Sequence, residues 1–106
     1  YNARNDLAQS TAFQDLTGPG DSGADADQSQ NGELWLYNPS STTFVKHFMT
    51  TMQSSGAGAG SSAGASDETF TAGYFNTTAD ITAIQFKQSS GNLDSGKIKL
   101  YGIKDS

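Results

Sequence analysis

The chain has 106 residues, a formal net charge of −5 and no cysteine, and Leu, Ile, Val and Phe fill only 17 positions. That composition fits one small domain with a thin core that gains stability from obligate partners, subunits or otherwise. It excludes disulfides and Cys-ligated metals, offers no apolar run near the roughly 20 residues a membrane helix needs, and lacks the basic stripe of a nucleic-acid binder.

In chain order, residues 1–16 hold scattered apolar anchors: Tyr1, Leu7, Phe13 and Leu16. Residues 17–32, TGPGDSGADADQSQNG, are turn formers and acids and read as a long acidic loop. Residues 33–38, ELWLYN, alternate as a strand does, with Leu34 and Leu36 on one face and Trp35 and Tyr37 on the other. Asn38-Pro39-Ser40-Ser41 is a turn, because proline cannot donate to a ladder. Residues 42–53, TTFVKHFMTTMQ, read as a further strand whose buried parity the sequence leaves open.

Residues 54–66, SSGAGAGSSAGAS, contain only Gly, Ala and Ser and include one silk-like GAGAGS unit. Silk stacks many copies into flat sheets. A single copy buries almost nothing and stays mobile, so the tract reads as a second long loop. Strand-like alternation returns at 68–75, where Phe70 and Tyr74 are in register, then at 81–88 and 96–103. In the last of these, Ile98 and Leu100 point inward while Lys97, Lys99 and Tyr101 point outward. Residues 89–96 join the final two strands, which predicts a hairpin. No helix-period segment of useful length appears. The expected fold is an all-β, antiparallel β-sandwich spanning 1–106 as a single domain.

Candidate chemistry is sparse. Read as a calcium loop from Asp27, the sequence has Gly32 at the sixth position and Leu34 at the eighth, but Asn38 stands where a bidentate Glu belongs. An EF-hand is excluded, which leaves a looser oxygen-lined cation site among Asp21, Asp25, Asp27 and Asn31 to weigh against a solvated acidic loop. His47, the single histidine, has no nucleophile or orienting partner at a recognisable spacing and reads as structural. Asn76-Thr77-Thr78 matches a glycosylation acceptor, a pattern that is frequent by chance. No strand places two acids on one face, which counts against the paired carboxylates of a glycosidase. Trp35, Tyr37, Tyr74 and Tyr101 remain as interface candidates, because aromatic rings on a sheet pack in a core, stack on sugars or form protein contacts.

The stretch ITAIQFKQSSGNLDSGKIKLYGIK (81–104) resembles the ending of a group of β-sandwich, jelly-roll-like domains in tailed-bacteriophage virion proteins. The matching elements are Ile81, Ile84 and Phe86, then Ser90-Gly91-Asn92-Leu93-Asp94-Ser95-Gly96, then Leu100-Tyr101-Gly102-Ile103. GELWLYNPSSTTFVKHF (32–48) is similar to the middle of these domains, and the Gly/Ser/Ala loop has a counterpart there. Asn92 and the glycines at 91 and 96 suit a turn that needs positive φ. Leu93 is placed to plug the sandwich end, and Gly102 lets the last strand pass close to a neighbour. Family members carry further strands ahead of the part that matches Tyr1, so the resemblance implies that N-terminal strands are missing or are supplied by another chain.

The resemblance implies a non-enzymatic structural protein on the surface of the virion, a capsid decoration or a tail fibre module. Its partners would be capsid or tail subunits and further copies of itself, with no cofactor, no nucleic acid and no membrane. The alternative expectation is a fibre module that recognises a host-surface glycan through the two long loops and the exposed aromatics.

Overall fold

A computed structural model describes residues 7–17, 28–55 and 66–104. Three strands, β1 (Ser29–Leu36), β2 (Lys46–Ser55) and β3 (Ser66–Phe75), form one antiparallel sheet in the order β1-β2-β3. The described residues contain no helix, and none therefore long and apolar enough to cross a membrane. The all-β, antiparallel class is as the alternation predicts.

The register fixes which side chains share a face. Leu36, Phe48 and Gly73 lie side by side across the three strands, as do Leu34, Thr50 and Thr71. Period-two alternation puts Lys46, Phe48 and Thr50 on one face, and all three are buried. The parity that the sequence leaves open in β2 is thus settled by a row containing a lysine. Phe48 is the one buried apolar side chain among the described residues. Its ring packs on Phe75, with centroids 5.3 Å apart and planes at 39°.

One end of the sheet is tied down. Tyr37 N–H donates to the His47 carbonyl at 3.0 Å, and Ser41 N–H closes the turn onto the Asn38 carbonyl at 3.1 Å. Asn38 has a φ of 49°, a left-handed conformation that asparagine tolerates better than most residues. The Ser41 hydroxyl then accepts from the amides of Thr43 and Phe44. Beyond β3 the chain crosses this end. Lys46 Nζ donates to the carbonyls of Thr77 at 3.3 Å and Ala79 at 2.5 Å, and Ile81 N–H donates to the Pro39 carbonyl at 2.8 Å. The lysine stem fills buried space and its head satisfies carbonyls of the crossing segment. Farther on, Lys87 Nζ sits 4.0 Å from the centre of the Phe13 ring, linking the segment before the sheet to the one after it.

The other end is polar. Ser29, Ser55 and Ser66 pair across the strands, and the Ser29 and Ser55 hydroxyls lie 3.3 Å apart. The strands therefore reach into both segments read as loops. Residues 29–32 belong to β1, and Ser54, Ser55 and Ser66 belong to the β2–β3 hairpin. Ladder hydrogen bonds require no apolar side chain, which is why composition missed these ends. The interiors of both loops, 18–27 and 56–65, lie outside the described residues.

The expected hairpin of 81–88 and 96–103 does not form: among the described residues, 76–104 contain no strand and pair with none of β1, β2 and β3. Alternation marks a strand only when a neighbour accepts its ladder and a layer covers its apolar side. Here Leu100 is 89% exposed, and Ile98, Tyr101 and Ile103 are exposed with it. Gly91 and Gly96 do take positive φ, 75° and 145°, in the intervening turn. Asn92 is not among the positive-φ residues, and Leu93 is exposed rather than packed. A side chain at Gly102 would meet nothing within 4 Å of its Cβ.

Candidate functional site

The second face of the sheet is open. Alternation places Trp35 and Tyr37 from the β1 side, His47 and Met49 from β2, and Phe70 and Tyr74 from β3 together on this face. Trp35 stands opposite Met49, which stands opposite Ala72, and His47 stands opposite Tyr74. The Tyr37 hydroxyl donates to Met49 Sδ at 3.7 Å. The His47 and Tyr74 rings are 5.9 Å apart and tilted by 44°. Cross-strand aromatic and Met–aromatic neighbours of this kind hold one another in place.

These side chains pack sideways against each other while their outer surfaces remain in water. Trp35 is 44% exposed and Phe70 73%, and Tyr37, Met49 and Tyr74 fall between them. Single exposed apolar residues are ordinary, whereas a contiguous cluster marks an interaction surface. The face also divides along its length. Beyond Trp35 and Phe70 it continues as Glu33, Asn31 and Ser29 on β1, Thr51, Gln53 and Ser55 on β2, and Glu68 and Ser66 on β3. An aromatic patch bordered by polar and acidic groups has the layout of an interface centre with its rim.

Three of the four aromatic candidates, Trp35, Tyr37 and Tyr74, therefore meet on one surface, and Tyr101 stands apart on the C-terminal segment, which pairs with none of the described strands. The sequence reading missed Met49, Phe70 and His47 as members of the same patch. Phe70 was within reach, since it shares the parity of Tyr74. Met49 required knowing which face of β2 is buried. Of the cation candidates, Asn31 sits exposed in β1 opposite Gln53, while Asp21, Asp25 and Asp27 lie outside the described residues. Among the described residues no group of three or more His, Asp and Glu is placed to hold a metal ion.

Compared with known proteins, the chain matches no family model, no curated sequence and no solved structure.

Proposed function

We propose that the chain is a non-enzymatic structural module on the surface of a tailed-bacteriophage particle, a capsid decoration or fibre module. It acts by burying the aromatic half of its open sheet face against sibling subunits. The observation that carries this reading is the cluster of Trp35, Tyr37, Met49, Phe70 and Tyr74, each at least 44% exposed on a sheet whose opposite face holds the core. The resemblance of residues 81–104 to virion domains supports the placement on a phage.

Magnitudes explain why such a module works in many copies. Fully burying a large apolar side chain contributes about 1.5–3 kcal/mol, so finishing the burial of five half-exposed ones contributes about 4–8 kcal/mol. Association costs about 4–15 kcal/mol in lost freedom. One face alone then binds weakly, and a particle that presents many sites holds the module through avidity. The test is mass spectrometry of gradient-purified particles produced by the genome that encodes the chain. Recovery in stoichiometric amounts supports the reading; absence from the particles overturns it.

The exposed Trp35 and Tyr37 rings favour one second reading, recognition of a host-surface glycan by stacking on the same face. A glycan array separates the two. Sugar binding by a single chain, lost in Trp35→Ala, moves glycan recognition ahead of subunit docking.

A further inference from the structure

We infer that residues 96–104 add as an edge strand to β3 of a second copy of this chain. The donor has the form of a strand that lacks a partner among the described residues. Its sequence, GKIKLYGIK, alternates, its apolar side chains are exposed, and its backbone joins none of the described strands. The acceptor is an open edge among the described residues, where β3 pairs with β2 on one side only. An outer strand edge presents a row of unpaired N–H and C=O groups, which is the template on which β-augmentation works. The lengths agree, nine donor residues against the ten of β3.

Charge selects the occupant and the edge. The donor carries Lys97, Lys99 and Lys104 and no acid, half of the six basic residues in an otherwise acidic chain. β3 carries Asp67 and Glu68 and no base, whereas the competing outer edge, β1, carries Glu33 alone. Donor and acceptor occur in the same chain, so two copies complement each other and reciprocal exchange closes the pair. The chain's own donor is led away from its own β3. After Phe75 the backbone crosses the tied end of the sheet, and Ile81 N–H is held by the Pro39 carbonyl in the β1–β2 turn.

Pleat parity allows two facings. In the one that puts Lys104 on the face of Asp67, Lys97, Lys99 and Tyr101 share the face of Glu68, Phe70 and Tyr74. Tyr101 then extends the aromatic patch, while Ile98 and Leu100 extend the face that holds Phe48. This edge contact is distinct from docking through the aromatic face and stands without it.

The test is carbodiimide cross-linking of the full chain, mixed in equal parts from isotope-labelled and unlabelled preparations, followed by peptide mass spectrometry. The expected result is links from Lys97, Lys99 or Lys104 to Asp67 or Glu68, about half of them joining labelled to unlabelled chains. Links confined to one label would place the segment on its own sheet and overturn the inference, as would an absence of links between this segment and β3. A second measurement uses the triple variant K97E/K99E/K104E. It should lose self-association at least tenfold and regain it when mixed with D67K/E68K; failure of the mixed charge-reversed pair to associate contradicts the pairing. Variants of the aromatic face leave these links in place, so failure of one surface is distinguishable from failure of the other.

Discussion

The Phe48 ring lies across Gly73, its neighbour on β3, so closely that a Cβ built at residue 73 would come within 2.8 Å of two ring carbons. The one buried apolar side chain among the described residues therefore occupies space that a glycine leaves free. Gly73→Ala should destabilise the fold by about 1–3 kcal/mol through overpacking, although alanine is otherwise the less costly residue in a strand. Urea denaturation checks the size. Adding Phe48→Leu should cost less in the Gly73→Ala background than in the native one, because the two sites are in contact.

Thr50 lies between Leu34 and Thr71 on the covered face, with its Oγ1 buried and without a hydrogen-bond partner. An unpaired buried hydroxyl costs about 1–3 kcal/mol. Thr50→Val removes the hydroxyl and keeps the shape, so it should raise stability by about 1 kcal/mol. Thr50→Ser keeps the unpaired hydroxyl, loses the methyl, and should lower stability. Thermal melts of the two variants should move in opposite directions.

Lys46 is 1% exposed and clamps the crossing segment through the Thr77 and Ala79 carbonyls. Lys46→Met keeps the packed stem and loses the charged hydrogen bonds, worth about 1.5–3 kcal/mol. Lys46→Ala leaves a cavity in addition and should cost more. Hydrogen exchange reads the local consequence: the Ile81 amide, held by Pro39, should exchange faster in both variants while amides in the centre of β2 remain protected.

In the aromatic patch, folding and association respond separately. Trp35→Ser combined with Tyr37→Ser should lower the stability of the isolated chain by about 1.5–3 kcal/mol, the half of each ring already packed in the fold, and leave the sheet formed. The same pair should weaken association at least tenfold. Far-ultraviolet circular dichroism and sedimentation on the same samples separate the two effects.

How much of this was legible in the sequence varies by residue. The facing of Trp35 and Tyr37, and of Phe70 and Tyr74, followed from period-two alternation alone, and the turn at Asn38–Ser41 followed from its proline. The buried row of β2 did not, because Lys46 is charged and nothing nearby in sequence announces the carbonyls of Thr77 and Ala79. The serine-rich strand ends were hidden because Ser54, Ser55 and Ser66 contribute ladder bonds and almost no apolar burial. The C-terminal alternation misled in the other direction. Ile98 and Leu100 carry the pattern of a half-buried strand, but pattern does not say whether a neighbour is present to pair with it.

The proposed docking of sibling subunits on the aromatic half of the open face is open to a single measurement. The most direct test is sedimentation of the full chain over a concentration series, with acrylamide quenching of tryptophan emission on the same samples. Trp35 is the only tryptophan and lies within the patch, so its emission reports on this surface alone. Sibling docking should give association that rises with concentration and a matching loss of quencher access to Trp35. A chain that stays monomeric throughout, or one that associates while Trp35 remains as open to acrylamide as in the dilute sample, would contradict it.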